Sequence, residues 1–342
     1  MDWSADLGLA SLPLAEGAGG ACAERAEELP YVLIEPLHRT APLIFASPHS
    51  GRRYPSELLS LTRIGLLSLR RSEDAFVDEL FAGAAACGAA LLSATVARAF
   101  VDLNRDPSEL DPEMFDERLP AISAIATPRV QAGLGAIPRI TGDGQTIYRR
   151  KLSLAEAERR LAAVHRPYHV MLRNLVRETQ ARFGCAVVVD CHSMPSCARG
   201  AHAPDIVLGD RFGASCHASI TALAEATLRR LGYRVARNTP FAGGHTTQTY
   251  GQPMKRVHAL QVEINRALYV DERTLERTLA VQPFWIRALA SAFAQSTPLV
   301  AGLGWAAKLK STRERACSTP SWASRARACV SSRALGVTAG VP

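Results

Sequence analysis

The chain has 342 residues, of which 47% are hydrophobic and 21% charged, which excludes a globally disordered or fibrous protein. Its net charge of +8 is concentrated in residues 306–342, which hold seven bases against one acid, whereas the other 305 residues hold 33 bases and 31 acids. A nearly neutral body with a basic tail does not predict binding to nucleic acid.

The composition of the two ends marks off a central domain. No segment approaches the roughly 20 apolar residues that span a bilayer, and three acids lie in the first 16 residues, where a signal peptide carries bases. We therefore expect a cytoplasmic protein with no membrane partner. Residues 1–29 have no clear pattern and predict a loose lead-in, residues 30–305 predict one catalytic domain, and residues 306–342 predict a disordered tail.

Strands and helices alternate along the central domain. Apolar runs predict strands at 41–47, 90–103, 185–193, 205–209 and 258–268. Helical spacing of apolar residues predicts helices at 66–87, 153–182, 215–231 and 271–295. Residues 108–150 are rich in Pro and Gly, and we interpret them as a long functional loop. The alternation predicts an α/β fold with a mostly parallel central sheet and helices on both of its faces.

Polar side chains stand at the ends of three predicted strands. His49 follows the first strand, Asn104 and Arg105 follow the second, and His192 ends the third. Ligands of open α/β sheets bind beyond the carboxyl ends of the strands. Two histidines and one carboxylate, with a position left open for water, are a common ligand set for a hydrolytic zinc ion. The sequence therefore predicts zinc, or another divalent metal, on His49 and His192.

The carboxylate ligand is expected from the acids that follow His49. Glu73, Asp74, Asp78 and Glu79 cluster in the next predicted helix. Asp74 and Asp78 are four residues apart, so they would share one helix face. They are therefore the candidates for the third ligand, ahead of Glu73. The alternative is a solvated acidic face that binds no metal.

Cys191 is an alternative catalytic group. A Cys–His hydrolase needs its histidine close in space, but neighbours such as Cys191 and His192 point to opposite faces of a strand. The eight cysteines also include no CxxC pair. We therefore expect Cys191 to be a reduced residue of the core.

Glu263 interrupts an otherwise apolar predicted strand. Burial of a carboxylate is unfavourable unless the group is paired or used, and burial raises its pKa towards the range of a general base. We interpret Glu263 as the catalytic base. The alternative is an ion pair with Arg266 or Arg105.

Eight sequence segments follow one another in the central domain. They are SPHSGRRYP (47–55), RRSEDAFVDELF (70–81), VDLNRDPSELDPEMF (101–115), GLGAIPRI (133–140), VVVDCHSMPS (187–196), DIVLGDRFGASC (205–216), NTPFAGGHTTQTYGQP (238–253) and HALQVEINRALYVDE (258–272). In this order, over about residues 32–295, the chain resembles the N-formylglutamate amidohydrolase (N-formylglutamate deformylase) family.

The resemblance implies a fold, a reaction and roles for residues. The family is similar to the zinc carboxypeptidases, which implies a three-layer, phosphorylase/hydrolase-like (zinc-peptidase-like) fold with zinc on His49, His192 and an acid of the following helix. It implies hydrolysis of a linear amide C–N bond, converting N-formyl-L-glutamate to L-glutamate and formate, the last step of a histidine degradation route. Glu263 would be the general base, and Asn104 and Arg105 would bind a carboxylate of the substrate.

One feature of the carboxypeptidases is absent. Arg52 stands three residues after His49, where their HxxE pattern has a glutamate. The third ligand must therefore come from elsewhere, and Asp78 or Asp74 remains the expectation.

A small-molecule dicarboxylate needs a second binding pocket besides the one at Arg105. The segment Gly243, Gly244, His245 and Thr246 offers close approach of the backbone, an imidazole and a hydroxyl group. The alternative is that the two glycines only form a tight turn.

Three other functions remain open from the sequence. The first is a zinc amidohydrolase or carboxypeptidase that acts on another N-acylated amino acid. The second is a hydrolase that uses Cys191. The third is a binding protein that has the pocket but no catalytic activity.

Overall fold

A computed structural model of the protein describes residues 29–120, 127–196 and 203–278. The expectations for the lead-in before residue 29, for the helix beyond residue 278 and for the tail 306–342 lie outside these described residues. Within them, no helix is both long and apolar enough to cross a bilayer.

One seven-stranded sheet forms the centre of the fold. Its strands are β1 (Tyr31–Ile34), β2 (Leu43–Ser47), β3 (Ala90–Ala94), β4 (Ala186–Met194), β5 (Ile206–Gly209), β6 (Val235–Arg237) and β7 (Val257–Asn265). Their order in the sheet is β1-β3-β2-β4-β7-β5-β6. The four central strands β3, β2, β4 and β7 are parallel, β1 is antiparallel to β3 at one edge, and β5 is antiparallel to β7 near the other. The predicted mostly parallel sheet is therefore confirmed.

Helices connect and cover the strands. They are α1 (Ser56–Leu61), α2 (Leu66–Arg70), α3 (Val77–Leu80), α4 (Pro128–Gln131), α5 (Leu154–Arg160), α6 (Arg166–Phe183), α7 (Ala218–Arg230) and α8 (His245–Tyr250). A π-helical turn, Leu161–His165, joins α5 to α6, so the long helix predicted over 153–182 forms with one irregular turn. The described part of the loop predicted over 108–150 contains only the short helix α4 and a 3₁₀ turn, Pro112–Met114.

Two apolar layers pack on opposite faces of the sheet. Ile44 of β2 belongs to the buried cluster that contains Leu172 of α6, and its neighbour Phe45 belongs to the cluster that contains Ile220 of α7. Successive side chains of a strand point to opposite faces, so this alternation places a helical layer on each side. The three-layer arrangement agrees with the prediction.

The single helix predicted over 66–87 is wrong in its middle. The helix α2 ends at Arg70 and α3 begins only at Val77, after Phe76 with a φ of 63°. A residue with left-handed φ cannot continue a right-handed helix. The break allows the Asp74 N–H to donate to the His49 carbonyl at 3.0 Å, so the turn lies against the carboxyl end of β2.

Two other predicted elements differ from the structure. The strand predicted over 90–103 ends at Ala94, and beyond it Val96 forms only an isolated bridge with Arg53. Where the helix over 271–295 was predicted to begin, two short antiparallel strands form instead, β8 (Val270–Asp271) and β9 (Glu276–Arg277). The Asp271 carboxylate accepts the N–H groups of Arg273 and Thr274, a local turn that competes with a helix.

Candidate metal centre and active site

The carboxyl ends of the parallel strands bring the predicted site residues together. His49 lies two residues beyond β2, His192 lies near the end of β4, and Glu263 lies near the end of β7. A cavity of about 610 Å³ opens at this edge of the sheet. The cavity is lined by, among others, His49, Asp74, Asn104, Arg105, Gly243, Gly244 and Glu263. This is the place where open α/β sheets bind ligands.

Three buried side chains, His49, Asp74 and His192, converge on one point next to the cavity. The Nδ1 atom of His192 lies 3.0 Å from Asp74 Oδ2, and the Nδ1 atom of His49 lies 3.4 Å from the same oxygen. One possible ligand atom from each residue lies within 4.8 Å of the other two. The two imidazoles meet edge to face, with ring centres 4.7 Å apart.

The hydrogen bonds of His49 fit a metal ligand. Its Nε2 lies 2.7 Å from Asp102 Oδ1, and since an ionised carboxylate only accepts, this nitrogen carries the proton. A neutral imidazole would then have its lone pair at Nδ1, and this atom is buried without a hydrogen-bond partner. A buried polar atom without a partner is unfavourable, and a divalent cation between His49, Asp74 and His192 would satisfy it.

Only one of the candidate acids belongs to this cluster. The Asp78 carboxylate lies 2.6 Å from the Arg52 guanidinium, away from the two histidines. Glu73 is buried, and its Oε1 accepts the Tyr54 hydroxyl at 2.5 Å. The expectation that Asp74 and Asp78 share a helix face is wrong, because Asp74 lies in the turn before α3. The break in the helix therefore selects Asp74.

The carboxylates of Asp74 and Asp102 are each paired with an arginine, and the sequence predicts neither pairing. The guanidinium of Arg266 donates to Asp74 Oδ1 at 3.0 Å, and Arg98 donates to Asp102 Oδ2 at 2.9 Å. Burial opposes the ionisation of Asp74, but the hydrogen bond from His192 and the nearby His49 imidazole hold its pKa well below its usual range. Burial acts in the same way on Asp102, whose pKa is lowered chiefly by Arg98.

These supporting groups stand next to the motifs that carry the ligands. Asp102 lies two residues before Asn104, and Asp190 lies two residues before His192. The Asp190 Oδ1 atom lies 3.1 Å from His192 Nε2. An acid beside a motif histidine in sequence is the signal that could have identified Asp190, since ligating histidines are commonly held by carboxylates. Asp102 has no such signal, because its partner His49 is 53 residues away.

Glu263 projects into the cavity beside His192. It is 6% exposed, and its Oε1 accepts a hydrogen bond from the Gln261 side-chain amide at 2.8 Å. Burial raises the pKa of Glu263 to about 7, although the nearby His192 opposes the rise. In the part of the chain that the structure describes, no base lies within 4 Å of its carboxylate, so the alternative ion pair with Arg266 or Arg105 does not form.

Asn104 uses its side chain on neighbouring protein groups. Its Oδ1 accepts the Thr246 N–H at 2.8 Å, and its Nδ2 lies 3.0 Å from His192 Nε2 and 3.3 Å from Asp190 Oδ2. A Cβ atom on Gly244 would collide with the Asn104 amide. Gly244 is therefore needed for this close approach.

Arg105 lines the cavity, and only some of the N–H donors of its guanidinium bind protein groups. Its Nε donates to the Leu134 carbonyl at 3.0 Å and its Nη1 to the Asn104 carbonyl at 2.9 Å. The nearest carboxylate oxygen, on Asp102, is 4.0 Å from Nε. Burial lowers the pKa of Arg105 to about 10, so the side chain is still a cation at neutral pH.

The residues of the loop after β6 do not all face the cavity. Gly243 and Gly244 line the cavity, as expected. The ring of His245 packs instead against two buried histidines, His165 and His169, with ring centres 5.9 and 5.2 Å away.

Cys191 is placed in the core. Its side chain is fully buried in the cluster on the opposite face of the sheet from His192, and burial raises the pKa of its thiol well above the usual value. A thiol that is neutral and enclosed by apolar groups is not a nucleophile.

The chain also matches known proteins over most of this domain. The family model of N-formylglutamate amidohydrolase matches residues 41–270. The chain belongs to the N-formylglutamate amidohydrolase family. The N-formylglutamate deformylase of Pseudomonas aeruginosa is 34% identical to this amidohydrolase over 241 residues, which are 68% of this chain and 83% of that protein. The N-formylglutamate deformylase of Pseudomonas putida is 31% identical over 245 residues, 68% of this chain and 82% of that protein.

A solved structure shares the fold of this amidohydrolase. The crystal structure of N-formylglutamate amidohydrolase from Ralstonia eutropha JMP134 at 2.00 Å resolution is 33% identical and superposes with a TM-score of 0.73. The match covers 79% of this chain and 98% of that one. The predicted family and the predicted α/β fold are both confirmed.

Proposed function

We propose that this amidohydrolase converts N-formyl-L-glutamate to L-glutamate and formate with a divalent metal. The observation that carries the proposal is the convergence of His49, Asp74 and His192 on one point, next to the cavity that His49, Asp74 and Glu263 line. The two Pseudomonas relatives are named N-formylglutamate deformylases, which supports the choice of substrate.

His49, Asp74 and His192 would hold the metal, and two imidazoles with one carboxylate suit zinc. When bound, such an ion lowers the pKa of water and polarises a carbonyl group. Asp102 would fix the orientation of His49, and Asp190 with Asn104 would fix that of His192.

Glu263 would move the proton. Its carboxylate would accept a proton from the attacking water and pass it to the glutamate amine as the formyl C–N bond breaks. Gln261 holds one of its two oxygens, and the surrounding burial favours the protonated form enough for the acid half of this cycle. Glu263 stands opposite His192 in the sheet and lines the cavity, so its carboxylate would lie next to the metal.

The charges of the cavity favour a substrate with two carboxylates. Its lining contains six arginines, which are Arg71, Arg98, Arg105, Arg129, Arg266 and Arg273. Four of them have an acid partner of their own, at distances of 2.9 to 3.9 Å. Arg129 has no acid within 4 Å among the described residues, and Arg105 reaches one only at that limit. These two cations would bind the two carboxylates, since a guanidinium matches a carboxylate with a pair of donors.

A formate-release assay tests the proposal. We expect turnover of N-formyl-L-glutamate that is lost on treatment with a chelator and restored by Zn²⁺. Under the same conditions N-formyl-L-methionine, which lacks the second carboxylate, and N-acetyl-L-glutamate, which carries a bulkier acyl group, should react much more slowly. Turnover that survives complete removal of metal would contradict the metal-dependent reaction. Equal turnover of the methionine derivative would contradict the dicarboxylate specificity.

A further inference from the structure

Two buried histidines outside the candidate metal centre lie under the Asn104–Arg105 segment. His165 ends the π-helical turn and His169 lies one helical turn later in α6. Both are at most 5% exposed, and their ring centres are 4.4 Å apart. Neither residue has a role in the mechanism proposed above.

Each of the two histidines binds a backbone carbonyl beside Asn104. The Nε2 atom of His169 lies 2.8 Å from the Leu103 oxygen, and the Nε2 atom of His165 lies 2.9 Å from the Arg105 oxygen. A carbonyl oxygen can only accept, so both nitrogens carry the proton. Burial lowers the pKa of both residues, and the neutral form with one N–H fits these bonds.

The π-helical turn sets this geometry. The Arg166 N–H binds the Leu161 carbonyl five residues back, immediately before Pro167, which has no N–H to donate. After this turn the helix is regular, so His165 and His169 are four residues apart on one face. Single π turns of this kind occur frequently at functional sites.

We infer that His165 and His169 are positioning residues that hold the Asn104–Arg105 segment from both sides. The carbonyls that they bind flank Asn104, whose amide contacts His192, and belong to the segment from which Arg105 faces the cavity. Without the two N–H donors, the buried carbonyls would have to find other partners, and the segment would shift. This inference rests on the proposed function, because it assigns the pair to the orientation of a substrate-binding arginine.

A second metal site is the competing interpretation of this cluster. Ligand atoms of His165, His169 and His245 lie within 4.8 Å of one another. Both ring nitrogens of His169 already have partners, however, since its Nδ1 lies 3.0 Å from the Tyr250 hydroxyl. A metal would have to displace one of these hydrogen bonds, so the observed bonds favour the positioning role.

The test compares variants that keep or remove the donor. His169→Gln retains an amide N–H near the position of Nε2, whereas His169→Met fills similar space with no donor; His165→Gln and His165→Met form a second, independent pair. For each, kcat/KM is measured for N-formyl-L-glutamate and for its α-amide, N-formyl-L-isoglutamine, because the α-amide lacks the carboxylate that Arg105 would bind. We expect the kcat/KM of the Met variants to fall about 10- to 100-fold for N-formyl-L-glutamate, which is the effect of a misplacement of about 1 Å. For the α-amide, kcat/KM should fall much less. The Gln variants should recover most of this loss.

His258→Met is the matched control. His258 is a buried histidine far along the chain from the Asn104–Arg105 segment, and its Nδ1 accepts the His217 N–H. Its replacement should lower the thermal unfolding temperature without changing the ratio of kcat/KM between the two substrates. The inference would be overturned if kcat/KM fell equally for both substrates in the His169→Met and His165→Met variants. It would also be overturned if neither Gln variant recovered kcat/KM for N-formyl-L-glutamate.

Zinc titration separates the two interpretations of the cluster. We expect one equivalent of tightly bound Zn²⁺ in the wild type and in the His165→Met variant. A second equivalent in the wild type that the variant loses would overturn the positioning role. A wild type that does not hydrolyse N-formyl-L-glutamate at all would instead contradict the proposed function, so the two failures are distinguishable.

Discussion

His192 and Glu263 stand directly opposite each other in the parallel strands β4 and β7. Opposite residues of neighbouring strands project from the same face of a sheet, so the candidate metal ligand and the candidate base lie side by side, and Glu263 lines the cavity. The residues one position earlier, Cys191 and Val262, are likewise opposite each other and point into the core. The register of β4 and β7 thus places His192 and Glu263 at the candidate site and Cys191 and Val262 in the core.

Replacement of Glu263 by Gln should abolish most of the activity and leave the fold intact. Gln has the same size and can still bond to Gln261, but it cannot accept a proton from water. We expect kcat/KM for formate release to fall by roughly 10² to 10⁴, the usual contribution of a general base. Circular dichroism and the thermal unfolding temperature would show whether the fold is retained.

Glu272→Gln is the control for this variant. Glu272 also lines the cavity, but its carboxylate accepts the Ser196 N–H at 2.9 Å and does not belong to the cluster of His49, Asp74 and His192. Its neutralisation should change kcat/KM only slightly. A Glu263→Gln enzyme that was as active as the control would show that another group takes the proton.

Asp74→Asn and Asp78→Asn should differ in metal content. Asp74 lies within 3.4 Å of both histidines of the centre, whereas Asp78 pairs with Arg52. We expect Asp74→Asn to lose tightly bound Zn²⁺ in elemental analysis and to be inactive, and Asp78→Asn to keep both metal and turnover. Loss of metal in the Asp78 variant alone would reverse the assignment of the third ligand.

Cys191→Ala should retain wild-type kcat. The thiol is buried on the face of β4 that points away from the cavity, so its removal only leaves a small gap in the core. A loss of about 1 kcal/mol in the free energy of unfolding is typical of such a change. Steady-state kinetics with urea denaturation would check both quantities, and an inactive but folded variant would support the cysteine-dependent alternative.

The sequence predicted the parts of the fold and the site that depend on local patterns. Apolar runs located β2, β4, β5 and β7, because buried parallel strands are continuously apolar. His49, His192 and Glu263 were identified because each interrupts or ends such a run, where a polar side chain must be used or paired.

Other features depend on contacts that are distant in the chain. The helix over 66–87 breaks because Asp74 binds the backbone of His49 and the side chain of His192, and these contacts outweigh the helical pattern. The pairing of Arg266 with Asp74 joins residues 192 positions apart, so no local spacing indicates it. The role of His245 was predicted from its loop, but its ring direction is set by packing against His169.

Asp102→Asn should weaken metal binding without removing a ligand. The Asp102 carboxylate accepts the Nε2 proton of His49, and loss of such a partner typically costs 10- to 100-fold in metal affinity. We expect a higher Kd for Zn²⁺ in a competition titration, with activity partly restored at saturating Zn²⁺. An unchanged Kd would mean that Asp102 serves only to neutralise Arg98.

Arg105 and Arg129 should each recognise one carboxylate of the substrate. Arg105→Ala should cost roughly 3–5 kcal/mol of transition-state binding, because a buried charged hydrogen bond is lost. Arg105→Lys should recover only part of this, since an ammonium group cannot reproduce the planar fork. Arg129 is exposed in the short helix α4, so Arg129→Gln should cost less.

Double cycles of kcat/KM, enzyme variant against modified substrate, measure these contacts. With the α-ester of N-formyl-L-glutamate, the kcat/KM of the wild type should fall steeply. The already low kcat/KM of the Arg105→Ala variant should fall little further, because the ester removes the same interaction. With N-formyl-L-glutamine, which lacks the side-chain carboxylate, the same non-additivity should appear for Arg129→Gln. Each cycle is the control for the other, since the effects of Arg129→Gln and of the α-ester on kcat/KM should be additive. Fully additive losses in the Arg105 cycle would mean that its guanidinium, which already donates to the Leu134 and Asn104 carbonyls, supports the loop and does not contact the α-carboxylate.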